Sequence, residues 1–333
     1  MRVVVIGGTG HIGTYLVPRL VAAGHDVIVA SRGQRAPYRP DDAWRAVERV
    51  AIDRTAEEAA GSFGARVAAL RPDAVVDLIC FTVDGARQLV EALRERGALL
   101  LHCGTIWVHG HSTVVPTVEE QPRHPFGDYG IRKAAIEAYL LDETRRGGAR
   151  ATVLHPGHLV GPGWAPLNPA GHFDPDVFTR LAHGRPLLLP NLGMETVHHV
   201  HADDVAQAFE RALACAERAV GESFHVVSPA ALTLRGYAEA MAAHFGRPPL
   251  LRFLPWDEWC RTVGEAEARA TWDHVAHSPN CSIAKARERL GYAPRYGSVA
   301  AVIEAVAWLV SAGLVRLPDG GRGRPAGEGP PGA

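Results

Sequence analysis

Short apolar runs alternate with amphipathic segments along the first half of the chain. Residues 2–6 (RVVVI) form a β-branched run that glycines end at once, a pattern that predicts a buried strand. From 14 to 23 apolar residues recur at helical spacing, and Gly24 ends the pattern. The same alternation predicts strands at 27–30, 50–52, 74–80 and 98–103, and helices at 56–70 and 84–95. Apolar runs without strict alternation are typical of a parallel sheet that helices cover on both faces.

The second half of the chain has fewer strand patterns. Residues 151–155 and 223–227 are predicted strands, and a loop rich in Pro and Gly is predicted at 156–175. Helices are predicted at 129–142, 203–217, 233–245, 256–270, 282–290 and 298–312. Residues 316–333 consist mostly of Gly, Pro, Arg and Glu. Such a segment cannot bury enough apolar surface to fold, so we expect a disordered tail there.

Composition and charge exclude several classes of protein. The chain has 333 residues, which allows two domains or one large α/β domain, and a formal charge of −1, which favours neither nucleic acid nor an anionic membrane. No apolar run is long enough to span a bilayer, and the N-terminus enters a strand without a secretory signal. The five cysteines are odd in number and form no CxxC pair. We therefore expect a reduced, cytoplasmic protein with neither a disulfide framework nor a zinc-cysteine site.

A glycine-rich turn, residues 7–13 (GGTGHIG), lies between the first strand and the first helix. Glycines allow a tight turn and close approach of a pyrophosphate, and the helix N-terminus offers unpaired N–H groups. The alternative is an ordinary strand-to-helix turn that happens to contain glycines. The strand–turn–helix context favours a dinucleotide site. The residues predicted to contact the cofactor are Gly7, Thr9, Gly10, His11, Ile12 and Gly13.

The end of the second strand bears on which cofactor is bound. Rossmann sites for NAD usually carry an acid there, whereas this chain has Ser31 and Arg32. Arg32 is suited to pair with a 2′-phosphate and to stack on adenine, and Ser31 adds a hydroxyl. This favours NADP(H) over NAD(H), the alternative being that Arg32 is a solvated surface residue. Asp53, after the 50–52 segment, is placed to hydrogen-bond the adenine amine.

A candidate catalytic pair, Tyr129 and Lys133, forms a YxxxK sequence that places both residues on one face of a helix. A nearby ammonium favours the phenolate, so it lowers the tyrosine pKa toward a useful value. YxxxK alone occurs often by chance. Here it uses one of only two lysines, the other being Lys285, in a chain that otherwise uses arginine. Thr105, after the strand at 98–103, offers a hydroxyl at the sheet edge where ligands bind.

These motifs, taken in order, resemble the extended short-chain dehydrogenase/reductase family, also called the NAD-dependent epimerase/dehydratase family. The likeness extends from residue 2 to about 312. The segments that carry it are 7–13, 105–110, 129–133, 155–163, 199–206 and 282–294. Six ordered matches are specific where one alone would not be.

The resemblance implies an NAD(P)-dependent hydride transfer at a carbinol or ketone carbon. Tyr129 would be the acid/base, Lys133 would tune it and hold the nicotinamide ribose, and Thr105 would orient the substrate. Further cofactor contacts would come from Leu78, Cys80, Pro156 and His158. We expect an α/β fold with a Rossmann-type doubly wound parallel sheet and a smaller, mostly helical C-terminal substrate domain. The expected division is 1–157 and 191–228 for the NAD(P)-binding domain, 158–190 and 229–315 for the substrate-binding domain, and 316–333 for the tail.

Some positions depart from the family pattern. Family 4,6-dehydratases carry Asp-Glu after the threonine, where this chain has Ile106 and Trp107, so dehydration is disfavoured. His155 and His158 replace the Arg and Asn of many sugar-nucleotide epimerases, which puts a UDP- or dTDP-sugar substrate in question. His172, in the expected substrate loop, is a candidate second acid, although loop histidines more often bond their neighbours.

Residues 198–204 (HHVHADD) invite a metal interpretation, but the resemblance indicates a strand end followed by a helix that Asp203 or Asp204 caps. Two functions stay open. The first is an oxidoreductase or epimerase acting on a sugar, a sugar nucleotide or a similar polar substrate. The second is a non-catalytic NAD(P)-binding relative that binds RNA or regulates. We expect no nucleic-acid or membrane partner for the first, and a homodimer.

Overall fold

The structure is a computed structural model that describes residues 1–318. In that part of the chain the strands are β1 (Arg2–Ile6), β2 (Asp26–Ser31), β3 (Glu48–Ala51), β4 (Ala74–Asp77), β5 (Leu99–Cys103), β6 (Arg150–Pro156), β7 (His158–Val160), β8 (Leu187–Pro190), β9 (Thr196–Val197), β10 (His199–His201), β11 (Ser223–Val226), β12 (Leu232–Thr233) and β13 (Leu251–Leu254). The helices are α1 (His11–Ala22), α2 (Arg54–Ala59), α3 (Phe63–Ala69), α4 (Val83–Leu93), α5 (Gly127–Arg145), α6 (Asp176–Ala182), α7 (Ala202–Ala214), α8 (Ala216–Ala219), α9 (Leu234–His244), α10 (Trp256–Val263), α11 (Glu265–His277), α12 (Ala284–Leu290) and α13 (Ser298–Ser311).

Seven parallel strands form the central sheet, in the order β3-β2-β1-β4-β5-β6-β11. The chain runs outward from β1 in one direction to β3 and in the other to β6, so the strand order reverses between β1 and β4. In doubly wound sheets, ligands bind at the carboxyl ends of the strands beside such a reversal. The predicted Rossmann-type fold is confirmed, and the glycine turn after β1 lies at this point.

Alternate residues of each strand enter two different apolar cores. Val3 and Val5 pack with α1 and α7 on one face, whereas Val4 and Ile6 pack with α3, α4 and α5 on the other. All four side chains are buried. Because both faces are covered, both sets of alternating positions must be apolar, which explains the continuous RVVVI run. Each fully buried aliphatic side chain stabilises the fold by about 1.5–3 kcal/mol.

A third apolar core lies in the C-terminal half and joins α6, α9 and α13 around Phe178, Tyr237 and Leu309. Short strands supplement it: β13 pairs with β8 and β10 with β7, both parallel, and β12 pairs antiparallel with β9. The predicted helical C-terminal region is therefore present. None of the helices in residues 1–318 is both long and apolar enough to cross a membrane.

Several predicted boundaries were wrong. The helix expected at 256–270 is two helices, because Gly264 at φ +100° breaks the chain direction between α10 and α11. The strands β7, β8, β9, β12 and β13 were not predicted, since two to four residues give too little periodicity, whereas β10 was expected only from the family resemblance. The tail was expected from 316, but the Arg316 N–H donates to Thr179 Oγ1 at 3.2 Å. From residue 319 onward, the tail prediction lies outside the described residues.

Candidate active site

The glycine turn presses the start of α1 against the end of β1. Gly7 adopts a φ of +80°, which other residues rarely adopt. A Cβ on Gly13 would lie 2.2 Å from the Gly8 carbonyl oxygen, so only glycine allows this approach. Gly10 precedes α1 without a side-chain cap, which leaves the first N–H groups of the helix available to an anion. The turn therefore fits the pyrophosphate of a dinucleotide.

A cleft of about 520 Å³ opens beside this turn at the carboxyl ends of β1, β2 and β4. Six of the predicted cofactor residues line it: Gly7, Thr9, Gly10, Ser31, Arg32 and Asp53. The cleft also includes residues that the sequence did not single out, namely Arg35, Arg54, Thr55, Ile79 and Phe81. The lining therefore extends from the glycine turn to Asp53 after β3 and to Phe81 after β4.

The lining of the cleft is basic at the end of β2. Arg32 and Arg35 are exposed there, and Ser31 Oγ accepts the Gly33 N–H at 3.3 Å. Asp53 lines the cleft but also caps α2, since its Oδ1 accepts the Ala56 N–H at 3.2 Å. The cap fixes the carboxylate at the cleft wall.

Tyr129 lies in the first turn of α5, with its ring 6.5 Å from that of Phe81, which lines the cleft. The residue is 43% exposed, yet the surrounding protein desolvates it enough to raise the Tyr129 pKa to about 12. The nearby Cys103 raises this pKa further, and the Thr105 hydroxyl lowers it. The tyrosine is therefore protonated at neutral pH, the state that donates a proton to a carbonyl oxygen.

Lys133 follows one turn later and is 2% exposed. Its Nζ donates to the backbone carbonyls of Cys80, at 2.8 Å, and of Cys103, at 2.7 Å. The ammonium lies 5.9 Å from the centre of the Tyr129 ring and 4.8 Å from that of Phe81, and burial lowers the Lys133 pKa. Two carbonyls hold the group in place and leave a third N–H for another acceptor.

A buried series of hydrogen bonds fixes the backbone of Thr105. Its backbone N–H donates to His155 Nδ1 at 3.0 Å, and His155 Nε2 donates to Glu137 Oε1 at 2.9 Å. Glu137 in turn makes a two-point ion pair with Arg123, at 2.7 and 3.0 Å. Burial would raise the Glu137 pKa, but His155 and Arg123 outweigh it and hold that pKa far below its usual range. A Cβ on Gly104 would lie 2.4 Å from His155 Nδ1, so glycine is required there.

The sequence analysis missed the part that Glu137 plays. Tyr129, Lys133 and Glu137 stand at positions i, i+4 and i+8 of α5, so they share one helix face. That spacing was an available signal. His155 was noted only as a departure from the family pattern, and its partners depend on the packing of β6 against α5, which no sequence spacing shows.

Aromatic rings and imidazoles form a wall beside Tyr129, which we call the ring wall: Trp107, Phe126, His158, Phe173, His274 and His277. Trp107 meets Tyr129 edge to face at 5.9 Å between ring centres. On its other side Trp107 stacks on His277 at 4.2 Å. His158 Nε2 lies 3.1 Å from His274 Nδ1. This wall occupies the side of Tyr129 that faces the C-terminal half of the chain.

Other predicted cofactor residues lie outside the lining of the cleft. Leu78 and Cys80 alternate with its lining residues Ile79 and Phe81, and Ile12, Gly13 and Pro156 are buried. His11 stacks on Trp164 at 5.1 Å and hydrogen-bonds to Tyr38. His158 belongs to the ring wall. Whether any of these side chains contacts a cofactor stays a prediction.

His172, the predicted second acid, is tied into its own loop. Its Nδ1 accepts from Asn168 Nδ2 at 3.1 Å and from the Asp174 N–H at 3.2 Å. Burial lowers the His172 pKa, which disfavours the protonated form, while Asp174 and Glu267 oppose this effect. A catalytic part for His172 stays a prediction.

The prediction that Asp203 or Asp204 caps α7 was wrong. His201 is the N-cap, because its Nδ1 accepts the Asp203 N–H at 3.0 Å. Asp203 pairs instead with Arg19 at 2.8 Å, and Asp204 accepts the backbone N–H groups of Arg295 and Tyr296. The two carboxylates are therefore used to join α7 to other segments.

A different group, Asp77, Cys80 and His102, brings its possible ligand atoms within 4.8 Å of one another. Arg54 Nη1 already pairs with Asp77 Oδ1 at 2.5 Å, so a metal ion would have to displace a buried guanidinium. The cluster is better explained as the partner of that arginine.

Comparisons with known proteins agree with this geometry. The sequence profile of the NAD dependent epimerase/dehydratase family matches residues 3–226. The chain is 30% identical over 321 residues to the 2'-dehydrokanamycin reductase of Streptomyces kanamyceticus, which covers 95% of this chain and 86% of the reductase. It is 25% identical over 306 residues to the chloroplast stem-loop binding protein of 41 kDa b of Arabidopsis thaliana, covering 90% and 76%.

Solved structures show the same fold. The UDP-glucose 4-epimerase of Thermotoga maritima with UDP-glucose superposes with a TM-score of 0.71 at 22% identity, covering 94% of this chain and 99% of the epimerase. The Thermus thermophilus UDP-glucose 4-epimerase in complex with NAD gives a TM-score of 0.69 at 22% identity, covering 94% and 100%. The family resemblance is confirmed: this chain belongs to the NAD-dependent epimerase/dehydratase family.

Proposed function

We propose that this protein is an NADP(H)-dependent reductase that interconverts a ketone and a secondary alcohol on a sugar-like substrate. The observation that carries the proposal is that Tyr129 and Lys133 both lie against Phe81, which lines the cleft beside the glycine turn. The Tyr129 and Phe81 ring centres are 6.5 Å apart, and Lys133 Nζ is 4.8 Å from the Phe81 ring centre. The dihydronicotinamide, when bound, supplies a hydride to the carbonyl carbon. The reaction balances as ketone, NADPH and a proton giving alcohol and NADP⁺.

The chain's own residues supply the proton and the orientation. Tyr129 donates its hydroxyl proton to the carbonyl oxygen as negative charge develops there. Lys133, fixed by two carbonyls, stabilises the phenolate that remains, and its third N–H is free to hold a ribose hydroxyl. Thr105 presents its hydroxyl beside Tyr129 and so orients the carbonyl oxygen. The proton returns to Tyr129 from solvent, to which its side chain is partly exposed.

Several features support a dissociable NADPH rather than a permanently held NAD. Ser31 ends β2 where an acid would bind the ribose hydroxyls of NAD, and Arg32 and Arg35 stand at the same end of the cleft. Two guanidinium groups favour a 2′-phosphate. Dehydration is not part of the proposal, because Ile106 and Trp107 supply no acid after Thr105.

Calorimetric titration of NADPH and NADH against the protein tests the cofactor. We expect tighter binding of NADPH and a selective loss of that preference in Arg32→Ala. Arg45→Ala is the matched control, since Arg45 is exposed and pairs with Asp42 on the same turn. NAD that copurifies with the protein, or a preference for NADH, would instead favour an epimerase that recycles its own cofactor.

A non-catalytic, RNA-binding function is the second candidate, and the likeness to the chloroplast stem-loop binding protein is its support. The net charge of −1 and the complete Thr105, Tyr129 and Lys133 set favour the enzyme. Binding of a structured RNA that weakens steeply with salt, together with no binding of NADPH or NADH, would favour the second candidate.

The division into a cofactor domain (1–157 and 191–228) and a substrate domain (158–190 and 229–315) is part of the same proposal, as is a homodimer. The separate apolar core around Phe178 and Tyr237 supports the division. Sedimentation equilibrium tests the dimer directly.

A further inference from the structure

Three consecutive residues after β4 form a segment that we call the linking segment: Ile79, Cys80 and Phe81. A Cβ on Gly7 would lie 2.8 Å from Ile79 Cγ2, so Ile79 packs directly against the glycine turn. The Cys80 carbonyl accepts a hydrogen bond from Lys133 Nζ at 2.8 Å, and Phe81 lines the cofactor cleft. The segment therefore joins the glycine turn to the ammonium of the candidate catalytic lysine.

A buried ion pair fixes the end of β4, just before this segment. Arg54 Nη1 pairs with Asp77 Oδ1 at 2.5 Å, and both residues are buried. The same carboxylate oxygen accepts the Ile79 N–H at 3.3 Å, so Asp77 ties the strand end to the linking segment. Because a buried charge without its partner is strongly destabilising, each member of the pair holds the other in place.

The guanidinium of Arg54 is held on two further sides. Its Nε donates to Glu58 Oε1 at 2.5 Å, and its central carbon lies 4.7 Å from the centre of the Phe63 ring. A Cβ on Gly85 would lie 2.0 Å from Glu58 Oε1, so the Glu58 carboxylate packs against the first turn of α4. Since α4 follows the linking segment, α2 contacts the chain both before and after that segment.

The pair also places charge close to the lysine. Burial lowers the pKa of Lys133, whereas the Asp77 carboxylate opposes this shift and the Arg54 guanidinium adds to it. The three charges are therefore near enough to act on one another. Removing either member of the pair would change the electrostatic surroundings of the ammonium as well as the segment that holds it.

From these contacts we infer that Arg54 and Asp77 are positioning residues for Lys133, acting through the linking segment and the Cys80 carbonyl. The inference rests on the proposed function, because it concerns the ammonium that would hold the nicotinamide ribose. Arg54 also lines the cleft, so direct contact with the adenosine half of the cofactor is the competing explanation.

Two probes separate these explanations: NADPH and adenosine 2′,5′-bisphosphate, which lacks the nicotinamide ribose. Each is titrated calorimetrically into the wild type, Asp77→Asn and Arg54→Lys. We expect each variant to weaken NADPH by at least about fivefold, as for the loss of one hydrogen bond, and the bisphosphate by less than about twofold. Equal weakening of both probes, or wild-type affinity for NADPH in both variants, would overturn the inference.

A double-variant cycle tests whether the effect passes through Lys133. Lys133→Met removes the ammonium, so adding Asp77→Asn to it should weaken NADPH by less than about a further twofold. Additive effects of the two variants would mean that Asp77 acts independently of Lys133, which overturns the inference. Arg54→Lys, which keeps a positive charge opposite Asp77, takes the place of Asp77→Asn in the cycle if thermal unfolding shows that Asp77→Asn is not folded.

Asp203→Asn is the matched control. Asp203 is also a buried aspartate, and it pairs with Arg19 at 2.8 Å and with Arg295 at 3.1 Å, outside the lining of the cofactor cleft. This variant should lose stability but keep wild-type affinity for both probes.

The readouts also separate this inference from the proposed function. Weaker binding of NADPH in Lys133→Met together with wild-type affinity in the Asp77 and Arg54 variants would remove the inference alone, and the reductase would stand. Unchanged NADPH affinity in Lys133→Met, or absence of binding by either reduced cofactor in the wild type, would contradict both.

Discussion

His155 Nδ1 accepts a hydrogen bond from the backbone N–H of Thr105 at 3.0 Å, and this contact joins Thr105 to the buried ion pair of Glu137 and Arg123. Because Nδ1 accepts, the imidazole proton is on Nε2, which donates to Glu137. The arrangement fixes both the tautomer of His155 and the position of Thr105. His155 is fully buried, so in the proposed mechanism it would act as a positioning residue through Thr105.

The variant His155→Leu tests whether His155 orients Thr105 or only fills space in the core. The Thr105 N–H and Glu137 would both lose a partner, and we expect unfolding free energy to fall by about 1–3 kcal/mol. We expect kcat to fall at least about tenfold with the KM for NADPH unchanged, because Thr105 loses its orientation but the cofactor cleft does not change.

His155→Gln is the control, since its amide oxygen can accept from Thr105 and its NH₂ can donate to Glu137. It should recover most of kcat. Equal loss in both variants would mean that His155 matters only for packing.

The proposed roles of Tyr129 and Lys133 predict different effects for their variants. Tyr129→Phe removes the proton donor and should lower kcat by more than about 100-fold, within the usual range for general acid catalysis, while NADPH still binds. Lys133→Met should lower both kcat and cofactor affinity, because the ammonium supports the phenolate and is free to reach the ribose.

The other lysine is the natural control for Lys133. Lys285 pairs with Glu222 at 2.9 Å and Glu120 at 3.2 Å, away from the cleft. Lys285→Met should keep full activity and lose at most about 1 kcal/mol of stability. Steady-state kinetics and calorimetry on the three variants check this, and an active Tyr129→Phe enzyme would refute the assignment.

The sequence was sufficient for the fold and for the position of the glycine turn beside the cleft. Buried parallel strands have unmistakable apolar runs, and the glycine turn and YxxxK are local patterns whose chemistry depends on short spacing. The ring wall was not predictable as a unit. Trp107 precedes β6, whereas His274 and His277 come from a helix more than 160 residues later, and only tertiary packing brings their rings together.

The same limit explains the errors at the histidines. His201 caps α7, although histidine is not among the residues usually expected at an N-cap. Asp203 pairs instead with Arg19, which lies on α1 and is distant in sequence. Long-range partners decide what a polar side chain does, and a single sequence does not show those partners.

Because several histidines are buried, we expect the folded protein to lose stability in mild acid. Burial lowers the pKa of His199, His274 and His277 from 6.5 to about 4. Below pH 6.5 the unfolded chain binds protons that the native protein does not, so stability falls as pH drops toward 4. Each such histidine contributes a slope of up to about 1.4 kcal/mol per pH unit.

Thermal unfolding between pH 8 and pH 5 measures this slope. His277→Phe keeps a ring between Trp107 and Phe126 but cannot titrate, so its melting temperature should depend less on pH than that of the wild type. His124→Gln, at an exposed position, should leave the profile unchanged. A melting temperature independent of pH in this range would contradict the assignment of neutral buried imidazoles.

The glycine turn gives the sharpest steric prediction. A Cβ on Gly13 would lie 2.2 Å from the Gly8 carbonyl oxygen and 2.5 Å from its Cα, so Gly13→Ala must push α1 away from the turn. We expect a loss of about 1–3 kcal/mol in unfolding free energy, typical of overpacking, and a larger relative loss of NADPH affinity because the N–H groups of α1 move away from the phosphates. Gly297→Ala is the matched control: its Cβ would meet nothing within 4 Å, and loss of a glycine N-cap should lower stability by less than about 1 kcal/mol. Urea denaturation and calorimetry on both variants decide the matter, and wild-type NADPH affinity in Gly13→Ala would show that the phosphates bind elsewhere.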